Sequence, residues 1–187
     1  MLKRILMTLA AAAVAFVTLA PSAAQADVWW LQYSNKATGL CIDVKDRSTA
    51  NGAIVQEFGC KVPNSSGSGN QQFTFQSSGA GVQIVAQHSG KCLDLANWST
   101  ADGGTVQQWA CSGGANQQWK VQYHSANPNG TTNYMIKNVN SGKCLNHSNS
   151  GTALYQLTCN SASTQQVWKE HFRESSCTTC LTATREH

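Results

Sequence analysis

Two stretches of this 187-residue chain carry matching kinds of chemically capable side chain in the same order. Asp94, Asn97, Trp109, Asn116 and Gln117 make one set, and Asp43, Asp46, Phe58, Asn70 and Gln71 make the other. A carboxylate accepts protons from two hydroxyls at once, and a side-chain amide both donates and accepts. A flat aromatic ring covers C–H groups with large area and little entropy loss. Together these groups suit a ligand with one C–H face and a rim of hydroxyls, which describes a hexose or pentose. A site built this way rejects analogues lacking a hydroxyl, because its own polar groups would be left unpaired.

The same inventory argues against turnover. The chain has nine carboxylates, of which Asp27, Glu170, Glu174 and Glu186 lie near the ends of the exported part defined below. Asp43 and Asp94 hold equivalent places in different copies, farther apart than the about 5–9.5 Å that separates a glycosidase pair. Asp46 stands closer to Asp43, but the second copy has Asn97 at that position. The chain has no Gly-x-Ser-x-Gly nucleophile elbow. Ser89-Gly90-Lys91 and Ser141-Gly142-Lys143 lack the leading glycines of a phosphate loop. His88, His124 and His147 read as solvent-exposed residues in turns. The expectation is no catalytic residue, no cofactor and no metal.

These residues must be positioned by a repeat. An offset of 51 lays Thr38-Gly39-Leu40-Cys41-Ile42-Asp43-Val44 on Ser89-Gly90-Lys91-Cys92-Leu93-Asp94-Leu95. It also lays Val55-Gln56-Glu57-Phe58-Gly59-Cys60 on Val106-Gln107-Gln108-Trp109-Ala110-Cys111. A third copy starts at Ser141-Gly142-Lys143-Cys144-Leu145-Asn146, continues at Leu154-Tyr155-Gln156-Leu157-Thr158-Cys159 and closes on Gln166-Val167-Trp168. The copies span about 29–76, 80–122 and 132–169. Each contains short apolar–polar stretches bounded by Ser-Gly turns, and none has a helical period over three turns. Four short strands per copy give twelve, in an all-β domain whose copies pack around a shared axis because none can bury its apolar face alone.

Composition sets the compartment and the partners. Only 12% of residues are charged and the net charge is +4, which excludes nucleic acid as a partner chosen by bulk charge. Residues 1–26 read as a signal peptide: Lys3 and Arg4, an apolar run from Ile5 to Leu19, then Ala24-Gln25-Ala26 as the cleavage site. That run is short for a bilayer span, so no membrane insertion is expected. All eight cysteines follow the leader, and export makes disulfides their expected state. One pair recurs in each copy, predicting Cys41–Cys60, Cys92–Cys111 and Cys144–Cys159. Cys177 and Cys180 fall in an expected disordered tail, 170–187, where they pair locally or between chains.

Three Gln-x-aromatic closures (Gln71-x-Phe73, Gln117-x-Trp119 and Gln166-x-Trp168), three Cys pairs and two Cys-x-Asp elements, in matching registers, resemble the ricin B-type lectins. The resemblance runs from about Trp29 to Lys169. It implies a β-trefoil in 27–169 and sugar binding at up to three pockets, and bacterial members are often modules of enzymes acting on xylan or arabinan. By position, Asp94 would accept from two sugar hydroxyls, Trp109 would stack and Asn116 would complete the hydrogen bonds. Asp43, Phe58 and Asn70 would do the same in the first copy, with Asp46 and Asn97 lining the pockets. Gln71 and Gln117 join the pockets or bond backbone within each lobe, and Phe73, Trp119 and Trp168 belong to the core. The third copy has Asn146, Leu157 and Gln165 at the key places and is expected to be weak or dead. The expectation is therefore a secreted, monomeric carbohydrate-binding protein for galactose-, xylose- or arabinose-type sugars. The alternative is a protein-binding trefoil such as a protease inhibitor, which has no need of a duplicated acidic–aromatic set.

Overall fold

The computed structural model describes residues 29–147 and 153–171. The expected leader, Cys177 and Cys180 lie outside the described residues. The strands are β1 (Gln32–Asn35), β2 (Cys41–Val44), β3 (Ala53–Phe58), β4 (Phe73–Ser78), β5 (Gly81–Ala86), β6 (Cys92–Leu95), β7 (Val106–Trp109), β8 (Trp119–Ala126), β9 (Thr132–Asn138), β10 (Cys144–Asn146), β11 (Tyr155–Leu157) and β12 (Trp168–His171). Glu170 and His171, expected in the tail, extend β12, where they pair with Tyr33 and Gln32 of β1. Strand β8 runs four residues past the expected end of the second copy.

The first and fourth strands of every copy meet at equivalent points: Leu31 with Phe73, Val82 with Trp119 and Tyr134 with Trp168. The fourth strand then pairs with the first strand of the next copy, β4 with β5, β8 with β9 and β12 with β1. These six pairings close a six-stranded barrel. The remaining strands form three hairpins, β2–β3, β6–β7 and β10–β11. This is the twelve-stranded threefold array expected from the repeat, and the β-trefoil that the resemblance implied.

Phe73, Trp119 and Trp168 are fully buried at equivalent places of the three copies, in one core with Tyr33, Ile42, Leu93, Leu95 and Leu145. An indole N–H buried without a partner would be costly. Trp119 Nε1 donates to the Leu93 carbonyl at 3.0 Å, and Trp168 Nε1 to the Leu145 carbonyl at 3.1 Å. Phe73 occupies the same place with no donor to satisfy.

All three expected disulfides are present, with Cα–Cα distances of 5.0, 5.1 and 5.0 Å. Each ties the start of a hairpin's first strand to the residue two past the end of its second. The copies are also stitched sideways. Gln108 Nε2 donates to the carbonyls of Ser48 and Ala50, and Gln156 Nε2 does the same to Ser99 and Ala101. At the third such boundary Glu57 replaces the glutamine and meets His147.

The histidine expectation is corrected here. His147 is buried against Glu57, His124 lies within β8, and His88 is half-buried with Nε2 2.9 Å from the Ser48 carbonyl oxygen. His88 does lie in a turn, as expected, but contacts between copies partly or wholly cover all three.

Candidate functional site

In the hairpin of the second copy, Cys92 pairs with Trp109, Leu93 with Gln108 and Asp94 with Gln107. Side chains alternate along a strand. Leu93 and Gln108 therefore turn inward and are fully buried, while Asp94, Gln107 and Trp109 share the opposite face. Asp94 Oδ1 accepts from Gln107 Nε2 at 2.8 Å. Its Oδ2 accepts from Asn116 Nδ2 at 2.8 Å and Gln117 Nε2 at 3.0 Å. Three amide donors thus fix the carboxylate, and accepting capacity remains for a ligand. The Asp94 side chain sits at the floor, 4% exposed, and the Trp109 indole stands at the rim, 43% exposed.

Asp94, Asn97, Trp98, Gln107, Trp109 and Asn116 line one cleft of about 440 Å³. That volume lies within the roughly 300–1,000 Å³ of small-ligand sites. Asn97 and Trp98 both have left-handed backbone, with φ of 55° and 54°. For asparagine this is tolerated, while for tryptophan it is uncommon. It sends a second indole, 55% exposed, to the mouth of the cleft. Gly114 makes room for it: a Cβ there would stand 3.0 Å from Trp98 Cη2 and 2.7 Å from Asn116 Oδ1.

The first copy repeats the floor. Asp43 pairs across the hairpin with Gln56, and Cys41 with Phe58. Asp43 Oδ1 accepts from Gln56 Nε2 at 3.2 Å, and Oδ2 accepts from Asn70 Nδ2 at 2.8 Å and Gln71 Nε2 at 3.0 Å. Asp43, Asp46, Gln56, Phe58 and Asn70 line a cleft of about 350 Å³, joined by Arg47 and Lys61. Lys61 Nζ donates to Asn70 Oδ1 at 2.7 Å. Ser112 holds that position in the second copy, and the buried Asn116 Oδ1 there has no hydrogen-bond partner among the described residues.

Gln71 and Gln117 stand behind the aspartates, and Gln117 also lines the second cleft. Gln117 Nε2 donates to Asp94 and to the Ala110 carbonyl, and its Oε1 accepts from the Ser112 amide and from Gln83. Gln71 Nε2 donates to Asp43 and the Gly59 carbonyl, while its Oε1 accepts from Lys61 N and Gln32 Nε2. Both are buried with their amide capacity filled. They orient the aspartates from behind.

In the third copy, Asn146 turns its amide to the His147 carbonyl, and its buried Oδ1 has no partner among the described residues. Leu157 stands opposite Cys144, where Phe58 and Trp109 stand in the other hairpins. Tyr155 takes the place of Gln56 and Gln107. The floor carboxylate, its cross-strand donor and the aromatic rim are all replaced.

Sequence reasoning missed Gln56, Gln107, Arg47, Lys61 and Trp98. The two glutamines were legible, because they alternate with Phe58 and Trp109 and so share a face with the aspartates. Arg47 and Trp98 occupy equivalent offsets, but nothing in the residues announces left-handed backbone at either.

Comparison with known proteins places this geometry. The model of the ricin-type beta-trefoil lectin domain matches residues 29–168. A designed threefold-symmetric protein, ThreeFoil, is 32% identical with a TM-score of 0.64, over 75% of this chain and 96% of its own. An exo-beta-1,3-galactanase from Clostridium thermocellum is 28% identical with a TM-score of 0.65, over 82% of this chain. This chain spans 31% of that enzyme. Serine protease 1 of Rarobacter faecitabidus is 50% identical over 42 residues, 22% of this chain and 8% of the protease. With a matching family model over most of its length, a closed threefold barrel and a disulfide in each copy, the chain belongs to the ricin-type β-trefoil lectin family of carbohydrate-binding domains.

Proposed function

We propose that this protein is an exported, non-catalytic module that binds galactose-, xylose- or arabinose-type sugars through the clefts of its first two copies. The third pocket is degenerate, weak or dead, and the protein works as a monomer. The observation that carries this reading is the Asp94 carboxylate, held by three amide donors beside the exposed Trp109 indole in one open cleft. A sugar ring laid on the indole would direct two adjacent hydroxyls at Asp94 and the amides around it. The likeness to a β-1,3-galactanase supports galactan among the polymers to test first.

Two working clefts strengthen retention on a polymer, because the second contact forms at high effective concentration once the first is made. A glycan array probed with residues 27–187, followed by affinity electrophoresis in arabinoxylan and galactan gels, tests the proposal. Retardation by at least one polymer, lost when Asp94 and Asp43 are both changed to alanine, is expected. Release of reducing sugar that depends on Asp94, or no glycan bound at all, would overturn it.

A further inference from the structure

The two clefts share a floor and differ at the rim. At the first residue after the left-handed Asp46 or Asn97, cleft one has Arg47 and cleft two has Trp98. At the position just past the second cysteine, cleft one has Lys61 and cleft two has Ser112. Cleft two is lined by one carboxylate and no cation. Cleft one is lined by two carboxylates and two cations. Both cations converge on one residue. A Cβ on Gly67 would stand 3.2 Å from Arg47 Nη1, and Lys61 Nζ donates to the Gly67 carbonyl at 3.3 Å.

The two cations are not in the same state. Lys61 is engaged by Asn70 Oδ1 and lies 3.8 Å from Asp43 Oδ2, so its charge offsets the floor carboxylate. Arg47 makes no hydrogen bond or ion pair with any described residue, and its side chain is exposed at the cleft. Asp46, its neighbour in sequence, is not within ion-pair distance of it among the described residues. A guanidinium is a planar fork of donors that matches a carboxylate or sulfate two bonds at a time. With Asp43 already countered by Lys61, an anionic group at the rim meets an uncommitted cation.

Resting on the sugar-binding reading, we infer that the clefts take different classes of sugar: cleft one an anionic saccharide whose carboxylate or sulfate reaches Arg47, and cleft two a neutral one held at a rim of two indoles. The Phe58 ring would still cover the C–H face in cleft one, and Asp43 with Asn70 would still meet the hydroxyls. Arg47 is then the specificity-determining residue of that cleft.

The test is a site-resolved titration of residues 27–187 labelled with ¹⁵N. The probes are methyl β-galactoside, methyl galacturonide and galactose 6-sulfate, with methyl β-xyloside and methyl glucuronide as a second pair. Backbone amides of 57–61 report cleft one, and the indole N–H groups of Trp98 and Trp109 report cleft two. At low salt, cleft one is expected to favour an anionic member over its neutral counterpart by roughly three- to tenfold. That ratio should fall below about twofold in Arg47→Gln and shrink at 0.5 M salt, as for any exposed charge pair (screening length about 4 Å). Sulfate and carboxylate binding alike, or carboxylate alone, both support the inference. Equal affinity of cleft one for neutral and anionic probes, or silence of cleft one while cleft two responds, overturns it and leaves sugar binding intact. Silence of both clefts towards all five probes overturns the inference together with the sugar-binding reading.

Discussion

His147 Nδ1 lies 3.0 Å from Glu57 Oε2, with both side chains 2% exposed, at the boundary between the third and first copies. Glu57 stands where Gln108 and Gln156 bridge to backbone carbonyls at the other two boundaries. Thr38 Oγ1 also donates to Oε2, while the buried Oε1 has no partner among the described residues. Burial pushes the Glu57 carboxyl above its ordinary value of 4.5, and the nearby imidazole only partly opposes the rise.

A raised carboxyl makes the folded state bind the proton more tightly than the unfolded chain does. Its stabilising contribution is complete below the unfolded value near 4.5 and is lost as pH rises through the higher folded value. Glu57→Gln removes the titrating group and restores the residue of the other two boundaries. Melting curves of the two proteins from pH 4 to 8 should diverge as pH rises, with the variant gaining about 1 kcal/mol at neutral pH. Parallel curves would show that the pair does not couple to folding.

Gln117 holds Asp94 from behind. Replacing it with leucine removes a donor to Oδ2 and leaves the Ala110 carbonyl and the Ser112 amide without their partner. The expected cost is about 2–3 kcal/mol of stability, read by urea unfolding. Ligand affinity at cleft two should fall as well, measured by calorimetry under conditions where the variant is folded. Gln71→Leu should act likewise on cleft one.

The rim aromatics rank the copies. Trp109→Ala should weaken polysaccharide retention most, by about 2 kcal/mol or some thirtyfold at that cleft. Phe58→Ala should cost less because the ring is smaller, and Leu157→Ala should be near neutral. Affinity electrophoresis of the three variants on one polymer gives the order, and equal losses would contradict it.

The disulfide of the second copy closes a separation of 19 residues, for which chain-entropy reasoning gives about 3 kcal/mol. Changing both Cys92 and Cys111 to alanine should lower stability by that amount. Because Cys92 pairs directly with Trp109, the same variant should also loosen the stacking platform. Thermal melts and Trp109 fluorescence read the two effects separately, and an unaltered melting temperature would refute the first.

Repetition made most of this legible from the residues. An offset of 51 aligns the first two cysteine pairs and Asp43 with Asp94, and an offset of 46, after a shorter loop, places Phe73 and Trp119 at the same core position, because barrel closure needs identical registers in every copy. What repetition could not reveal is where the copies differ for local reasons. Left-handed backbone at Arg47 and Trp98 follows from the turn after the aspartate and has no signature in either side chain. The burial of His147 depends on Glu57, 90 residues away, and on an exchange of glutamine for glutamate at one boundary of three. The supporting role of Gln71 and Gln117 required knowing that both ends of each amide are filled.

The central claim is that Asp94 and Trp109 jointly hold a sugar in the second copy. Calorimetric titration of the tightest-binding neutral glycan into Phe58→Ala, which leaves cleft two as the principal site, and into the same protein carrying Asp94→Asn, tests it most directly. The account predicts at least a tenfold weaker association for Asp94→Asn, with an unchanged circular dichroism spectrum. Equal affinity of the two proteins would contradict it.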